Sequence, residues 1–466
     1  MIATLESPTI PRASIGRPRL PQIVVGNVDN ENMMADASGL TPEFCAGSAL
    51  IAQRMLWFAE PGDIVLLPSP PSAAMMQYVA GWKRCDAQEI RTLSPDPGNH
   101  GPLPLGAQNL LEPRFIRQLR SLMGTRRDWV MAPYLCDRSV VALAQELGLP
   151  PTALLTPFAQ EGGCEMLNDK RTFRGLAAGR GIPLAEGEIV TSRDELDRAV
   201  SRLIGKTNAV IIKQDRHSGA EGNLVLSRLR SIGGEGALEA IYADDEAALR
   251  KAAAAIWERL AYYERAGLVV EVYFPASISL YAEFAVDSRR RAVDLLNWGE
   301  QRMEPVFTGF VIPPALPAFQ GARFISGATE LARIACDLGM TGRLSVDGII
   351  TPDGELVFNE INGRIGGCSQ IHQIAELLLG PGYGDNAVIA THHKVPAPLF
   401  DEVIDIARAE GLHFDHAERR GIVVMAEDTR QLGVLDFLAI APRKDEALRI
   451  EGKFESLIRR RATHLS

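Results

Sequence analysis

The sequence predicts a mixed α/β and α+β protein with three domains. Its first third alternates short apolar runs with amphipathic patterns, which is typical of a parallel sheet flanked by helices. Its second half contains consecutive strand patterns joined by short polar turns, which is typical of antiparallel sheets. Because 466 residues exceed the usual size of one domain, we expect a flexible arm, an α/β domain, a central core and a small α+β domain. Their expected bounds are 1–20, 21–160, 161–385 and 386–466.

Composition and charge exclude several classes of protein. The formal net charge of −9 argues against a nucleic-acid-binding protein that relies on a general basic field. The six cysteines form no CxxC pair, so they predict neither a zinc site nor a disulfide framework. The sequence shows no apolar signal segment and no apolar run of membrane-spanning length. We therefore expect a cytoplasmic protein with reduced thiols, and with neither a nucleic acid nor a membrane as its partner.

The elements of the α/β domain follow from the alternation of patterns. Strands are predicted at 23–27, 63–68 and 128–132, and helices at 44–60, 72–82, 113–123 and 137–147. The turn at Gly26-Asn27 lacks the G-x-G-x-x-G fingerprint of dinucleotide-binding domains. A structural role is therefore the better interpretation of this domain.

The central region begins with a helix and a strand. A helix is predicted from about 168 to 180, where a Gly-Ile-Pro sequence ends it. The strand 208–213 ends in Lys213, whose charge needs a partner after an apolar run, and a phosphate is a natural one. The QDRHSGAEGN loop that follows contains Gly219 and Gly222, and its backbone N–H groups could hold phosphates. On spacing alone, a plain hairpin turn explains this loop equally well.

The remaining elements are assigned from the same patterns. Helices are predicted at 245–266, 324–338 and 401–410 and at the basic C-terminal end, and strands at 268–274, 278–286, 291–298, 421–425 and 435–441. Glu271 is the only charge in the strand 268–274, which makes it informative. His392, His393 and Lys394 could bind a metal or a phosphate. The end of a surface helix is the favoured interpretation, because adjacent residues of a helix point in different directions.

The stretch GRLSVDGIITPDGELVFNEINGR contains the strongest signal of a site. Two runs rich in β-branched residues, at 344–351 and 355–361, flank a Pro-Asp-Gly sequence that is typical of a hairpin loop. If the loop has four residues, Asp347 lies opposite Glu360, and side-chain alternation places Asn362 and Arg364 on the same face. The oxygen ligands suit Mg²⁺ shared with substrate phosphates, and the guanidinium would stabilise a phosphoryl or acyl transition state. The alternative is a surface hairpin with one charged, exposed face.

Taken in order, these elements resemble those of the ATP-grasp ligases over roughly residues 164–379. The loop 218–223 matches the flexible phosphate lid of that family, and the strand 269–274 matches the hinge that holds adenine with backbone groups. The resemblance implies ATP and Mg²⁺ as cofactors. It assigns nucleotide binding to Lys170, Lys213, Ser218, Gly219, Gly222, Asn223, Glu271, Val272 and Phe274, metal binding to Asp347, Glu360 and Asn362, and catalysis to Lys213 and Arg364.

The order of domains is similar to that of the peptide ligases of pheganomycin-type antibiotic biosynthesis. The resemblance implies a Rossmann-like pre-ATP-grasp domain, an ATP-grasp core and a small C-terminal domain. It also implies that an amino acid or amino acid derivative is activated as an acyl phosphate and is joined to an amine or to the N-terminus of a peptide. The oligomeric state is left open, with a homodimer as one expectation.

Other activities are weighed against this one. No E-H-P run follows Arg364, which disfavours carboxylation of biotin, and Cys368 is better explained as a small residue in a glycine-rich bend than as a nucleophile. The enzymatic alternatives are an ATP-grasp kinase and another ATP-grasp amide ligase that acts on small metabolites. The non-enzymatic alternative is a nucleotide-binding regulatory protein.

Overall fold

The structure of the chain is a computed structural model that describes residues 19–34, 40–98, 101–150, 155–217, 219–261, 267–275 and 277–462. Three sheets of four, five and eight strands organise these residues. Most of the expected N-terminal arm, and the end of the helix predicted at 245–266, lie outside the described residues. In the described part of the chain, no helix is both long enough and apolar enough to cross a membrane.

The first sheet is parallel, as predicted, and its strand order is β3-β2-β1-β4. Its strands are β1 (Gln22–Val25), β2 (Ile64–Leu66), β3 (Arg91–Leu93) and β4 (Val130–Pro133). The helices around it are α1 (Pro42–Gln53), α2 (Ala73–Lys83), α3 (Ala107–Leu110), α4 (Pro113–Met123) and α5 (Arg138–Leu147). Helix α1 continues into a 3₁₀ turn, Arg54–Phe58, and a second such turn covers Ala87–Glu89. The helix predicted at 44–60 therefore contains both segments.

The second sheet belongs to the central region and has the order β5-β9-β6-β7-β8. Three helices precede it, namely α6 (Pro157–Gln160), α7 (Gly163–Leu167) and α8 (Lys170–Gly179). The strands are β5 (Gly187–Val190), β6 (Ala209–Gln214), β7 (Asn223–Ser227), β8 (Glu239–Tyr242) and β9 (Leu268–Val272), and the helices are α9 (Arg193–Thr207) and α10 (Glu246–Leu260). The apolar residues of β6 and β9 pack with α9 and α10 into a hydrophobic core that belongs to this sheet alone.

The third sheet has eight strands in the order β14-β13-β10-β11-β12-β15-β17-β16. Its strands are β10 (Ile278–Asp287), β11 (Ala292–Met303), β12 (Phe307–Ile312), β13 (Thr341–Ile350), β14 (Leu356–Asn362), β15 (Val388–Pro396), β16 (Gly421–Asp428) and β17 (Val434–Ala441). The helices are α11 (Ala318–Leu338), α12 (Ser369–Leu379), α13 (Phe400–Ala409) and α14 (Lys444–Ala462), with a 3₁₀ turn at Tyr383–Asp385. One hydrophobic core joins this sheet to the first.

The C-terminal strands extend the large sheet. Strand β15 pairs with β12 through Val311 and Ile312, and it pairs with β17 on its other side. The interpretation of residues 392–394 as the end of a surface helix is wrong, because they lie in β15 and His393 is buried. Residues 388–396 contain several β-branched side chains, which favour a strand. The predicted domain bounds stay a proposal.

Strands β13 and β14 form the predicted hairpin, and Asp347 lies opposite Glu360 as predicted. The assumption of a four-residue loop is wrong, because the Thr351 N–H donates to the Glu355 carbonyl at 2.8 Å and leaves three residues in the loop. The register shifts by one residue between Asp347 and Gly348, where β14 contains an extra residue. This bulge restores the pairing of the two carboxylates, which the shorter loop alone would have displaced by one position.

Candidate active site

A cavity of about 670 Å³ lies where the three sheets meet, and all but one of the predicted site residues line it. These residues are Lys170, Lys213, Gly219, Gly222, Asn223, Glu271, Val272, Phe274, Asp347, Glu360, Asn362 and Arg364. Ser218 lies outside the described residues. Residues separated by almost 200 positions in the sequence are therefore brought to one cavity, although their individual roles stay predictions.

The two hairpin carboxylates and one amide form a compact polar group. Asn362 Nδ2 lies 3.2 Å from Asp347 Oδ2 and 3.2 Å from Glu360 Oε1, so one amide bridges both carboxylates. Burial and the adjacent Glu360 carboxylate raise the pKa of Asp347 well above its usual range. Burial also acts to raise the pKa of Glu360, but the ammonium of Lys170 outweighs it and lowers this pKa to about 2. The opposite shifts reflect two carboxylates that share one buried space.

This donor set fits a magnesium ion that is shared with phosphates. Among the described residues, no group of three or more His, Cys, Asp and Glu side chains is placed to hold a metal ion by itself. Asp347 and Glu360 supply hard oxygen atoms, and a divalent cation between the carboxylates would remove the repulsion that raises the pKa of Asp347. The Asn362 amide turns its nitrogen to the carboxylates and its oxygen to Arg364, so it would have to turn over to bind the ion through oxygen. The remaining ligands would have to be water and substrate oxygens, which is how Mg²⁺ is commonly bound beside nucleotides.

Lys170 connects the hairpin to the glycine-containing loop. Helix α8 begins at this residue because the Asp169 side chain accepts hydrogen bonds from the first N–H groups of the helix. Lys170 Nζ lies 2.9 Å from Glu360 Oε2 and donates to the His217 carbonyl at 3.3 Å. The lysine is 8% exposed, so its charge is held by the hairpin on one side and by the loop on the other.

Lys213 is paired with a carboxylate. Its Nζ lies 2.6 Å from Glu271 Oε2, and both residues are buried on the adjacent strands β6 and β9. Arg174 from α8 forms an ion pair with the other oxygen of Glu271. We expected a phosphate as the natural partner of Lys213, but the sequence did not predict that Glu271 already pairs with it. Glu271 forms ion pairs with both Lys213 and Arg174. The excess positive charge still lies beside the cavity, and a phosphate contact stays a prediction.

The loop between β6 and β7 closes one side of the cavity. Gly222 lies so close to His217 that a Cβ on it would come within 2.5 Å of the histidine Cβ, which requires glycine here. Gly219 has a φ of +65°, in the left-handed region. Asn223 begins β7, and its side chain donates to the Gly236 carbonyl at 2.9 Å. The conformation of the loop therefore depends on its two glycines, Gly219 and Gly222, and both of them line the cavity.

The hinge after β9 has only part of its backbone available. The Val272 N–H donates to the Glu186 carbonyl at 2.9 Å, and the Tyr273 N–H donates to the Ala209 carbonyl at 3.1 Å. The Phe274 N–H makes no hydrogen bond to another residue that the structure describes. Of the predicted hinge residues in the described part of the chain, Phe274 is thus the one with an available backbone donor.

Arg364 is held by the N-terminal domain. Its Nη1 lies 3.0 Å from Tyr134 Oη, its Nη2 lies 2.9 Å from Asn362 Oδ1, and its guanidinium stacks over the Tyr134 ring at 5.3 Å. The Arg364 side chain is thereby fixed next to Asn362, one of the predicted metal ligands. Cys368 is buried, and burial raises its pKa well above the usual range. A protonated thiol supports the interpretation that this cysteine is not a nucleophile.

The N-terminal domain contributes residues to the cavity that were not predicted from the sequence. Asp29, Ser48, Arg54 and Tyr134 all come from this domain and line the cavity, so the domain does more than support the core. A usable signal existed at Arg54, which interrupts the apolar run of the helix predicted at 44–60 just as Glu271 interrupts its strand. Ser48 lies in α1, and Asp29 and Tyr134 follow strands β1 and β4, so the approach of all three to the cavity depends on the tertiary fold.

Comparison with protein families gives two matches at the ends of the chain. Residues 52–149 match the model of the pre-ATP-grasp domain, and residues 402–453 match the model of the PGM1 C-terminal domain. No curated protein matches the sequence. The region that contains most of the cavity thus has to be compared through structure.

Solved structures similar to this one share its architecture over nearly the whole chain. N5-carboxyaminoimidazole synthetase from Staphylococcus aureus complexed with ADP has a TM-score of 0.51 and 13% identity, covering 94% of this chain and 96% of that one. Biotin carboxylase from Campylobacter jejuni, in a β-γ-ATP complex, has a TM-score of 0.54 and 10% identity, covering 92% and 90%. L-amino acid ligase from Bacillus licheniformis has a TM-score of 0.50 and 11% identity, covering 94% and 98%.

Identities this low establish the fold alone, and the predicted fold class is confirmed at that level. The chain therefore has the fold of the ATP-grasp superfamily, with a pre-ATP-grasp domain before the core and a C-terminal domain after it.

Proposed function

We propose that the protein is an ATP-dependent ligase that joins a carboxylate to an amine through an acyl phosphate. The observation that carries this proposal is the arrangement of charges in one cavity. Lys170 touches Glu360 of the carboxylate hairpin, Lys213 lies beside the hinge, and Arg364 adjoins Asn362. This arrangement supports a polyphosphate that extends from the hinge to the hairpin, with its terminal phosphate near Arg364.

The chain's own groups would act mainly by position and charge. The two lysines bind phosphate oxygens, and the backbone of the glycine-containing loop covers them. The donor carboxylate attacks the γ-phosphorus and ADP leaves. The amine then attacks the acyl carbon, phosphate leaves, and a proton is released from nitrogen. Arg364 binds the negative charge that develops on the transferred phosphate and on the tetrahedral carbon. No nucleophilic side chain is needed.

Magnesium ions held by Asp347, Glu360 and Asn362 would neutralise charge on the β- and γ-phosphates. The residues themselves are suited to this task because the hairpin fixes both carboxylates on one face. Asn362 contacts each carboxylate and also accepts a hydrogen bond from Arg364. A change in any one of these side chains is therefore expected to disturb the others.

A narrower function is proposed within this class. We infer that the donor is a nonproteinogenic amino acid derivative and that the acceptor is the N-terminus of a peptide in antibiotic biosynthesis. The match of residues 402–453 to the PGM1 C-terminal domain supports this narrower function. The resemblance to the pheganomycin-type ligases implies a small C-terminal domain at this place in the chain. The likeness to an L-amino acid ligase supports an amino acid substrate.

A screen for ADP formation tests the proposal. The purified chain is incubated with Mg²⁺ and ATP, and with amino acids and short peptides singly and in pairs. A ligase releases free phosphate only when a carboxylate and an amine are both present. An ATP-grasp kinase would form ADP with an alcohol and release no free phosphate, and that result would replace the ligase proposal. Failure of Mg·ATP to bind at all would contradict both activities and also the regulatory alternative.

A further inference from the structure

A second polar group comes from three separate elements, and two of its members, Arg54 and His393, line the same cavity. Arg54 lies in the 3₁₀ turn after α1, His393 in β15 and Asp436 in β17. Arg54 Nε and Nη2 lie 3.0 Å and 2.6 Å from Asp436 Oδ2, and Nη2 also lies 2.8 Å from His393 Nδ1. All three residues are buried. The function proposed above uses none of them.

The orientation of the Arg54 guanidinium is fixed by its partners. Burial, and then the charge of Arg54, lower the pKa of His393 to about 4, so the imidazole is neutral and its Nδ1 accepts the hydrogen bond. The other oxygen of Asp436 accepts from the Lys394 N–H at 2.7 Å. The Nε and Nη2 nitrogens of the guanidinium are therefore occupied, and the side chain cannot turn without breaking buried hydrogen bonds.

The remaining nitrogen, Nη1, has no such partner. The Arg54 side chain is only 10% exposed, yet Nη1 makes no hydrogen bond to any residue that the structure describes. A Cβ built on Gly367 would lie 3.8 Å from this nitrogen, and both residues line the cavity. The Nη1 atom of Arg54 thus lies beside Gly367 at the cavity wall.

The same place receives the N-terminal end of a helix. Helix α12 begins at Ser369, whose N–H donates to the Gly366 carbonyl at 3.2 Å, and no side chain accepts a hydrogen bond at its capping residue, Cys368. The first N–H groups of a helix carry partial positive charge, and an anion there is favoured. A buried guanidinium with one unused nitrogen and a helix end without a side-chain cap therefore both lie next to Gly367.

We propose that Arg54 and the N-terminal end of α12 bind a carboxylate of the amine-bearing substrate, one that does not react. This inference rests on the proposed ligase function. The reacting carboxylate has to lie at the metal-binding hairpin near Arg364. Gly367 is three residues further along, at most about 11 Å away, which an amino acid or a short peptide can span.

The cavity wall also indicates what surrounds this carboxylate. A Cβ on Gly367 would lie 3.4 Å from the Phe310 ring, and that ring packs 4.7 Å from both Tyr281 and Phe307. An aromatic wall beside an anion site suits an amino acid with an apolar side chain. The carboxylate would fix the orientation of the substrate and leave its amine directed toward the acyl phosphate.

The test measures binding, so it does not depend on turnover. L-phenylalanine and L-phenylalaninamide are titrated into the full chain saturated with Mg·ADP, by calorimetry, and L-leucine with its amide gives a second pair. The free acids should bind at least about tenfold more tightly than the amides, because a charge-assisted hydrogen bond is lost in the amide. In Arg54→Gln this preference should fall below about threefold, with the affinity for Mg·ADP unchanged.

Matched variants complete the design. Arg126→Gln removes the same charge from an exposed pair with Asp128 and should keep the preference for the acids. If Arg54→Gln does not melt cooperatively, the double variant with Asp436→Asn removes both buried charges and takes its place. The inference is overturned if the wild-type chain binds acid and amide equally. It is also overturned if Arg364→Gln removes the preference for the acids and Arg54→Gln does not. Ligation is measured separately, so either proposal can fail while the other holds.

Discussion

Lys213→Met separates a role in nucleotide binding from a role in the fold. The substitution keeps an unbranched side chain and removes the ammonium that lies 2.6 Å from Glu271. If Lys213 binds phosphate both before and during the reaction, the affinity for ATP and the turnover rate should fall together. The measurement is calorimetric titration with Mg²⁺ and a non-hydrolysable ATP analogue, next to a thermal melt.

The structure sets the size of each effect. Breaking a buried ion pair usually costs about 3–5 kcal/mol, but Glu271 keeps its ion pair with Arg174, so we expect a loss of about 1–2 kcal/mol in the free energy of unfolding. For a chain of this size the melting midpoint should then fall by less than about 8 °C. Loss of a charge-assisted contact to phosphate, about 1.5–3 kcal/mol, should weaken nucleotide binding about 10- to 100-fold.

The control is Lys206→Met, which makes the same substitution at an exposed lysine 3.3 Å from Glu186. It should change neither the affinity for the nucleotide nor the melting midpoint by a measurable amount. Nucleotide affinity within twofold of wild type in Lys213→Met, with the melting midpoint lowered as expected, would show that Lys213 only neutralises Glu271. The phosphate contact would then have to be withdrawn.

Two further predictions concern the hairpin and the buried histidine. Glu360→Gln should lower the turnover number at least about 100-fold, and the chain should still melt cooperatively because glutamine keeps the side-chain volume, at a lower midpoint because Lys170 loses its ion pair; turnover at the parental rate would refute the role of the hairpin. His393 has a pKa lowered from 6.5 to about 4, so the folded chain binds fewer protons than the unfolded chain between these values, and stability is lost as pH falls through that window. His393→Gln should remove about 3 kcal/mol of this loss in pH-dependent denaturant unfolding, and an unchanged pH profile would contradict the neutral imidazole.

Local patterns were sufficient for the parts of the fold that depend on local chemistry. Helix α4 covers Pro113–Met123, the range that the sequence predicted, because Pro at its first position, Glu112 as cap and a strong apolar face all agree. The pairing of Asp347 with Glu360 was also predicted, although through an incorrect loop length. The compensating bulge was not predicted, although two consecutive polar residues, Asn359 and Glu360, break the alternation of β14 where the extra residue lies.

Partners that meet through the tertiary fold could not be predicted in the same way. Lys213 and Glu271 were both noticed as lone charges in apolar strands, but a sequence does not state that β6 and β9 are neighbours. The ion pair is a consequence of sheet order, which is set by packing across the whole domain. Arg54 and His393, 339 positions apart, meet for the same reason.

The origin of the oxygen in the released phosphate tests the central claim most directly. A donor identified by the screen is labelled with oxygen-18 in its carboxylate and incubated with the amine, Mg²⁺ and unlabelled ATP. The two lysines and the hairpin favour attack at the terminal phosphorus, so ADP should form and one oxygen-18 atom should appear in inorganic phosphate. Label in AMP, with pyrophosphate as the second product, would show that an acyl adenylate forms instead and would contradict the acyl phosphate.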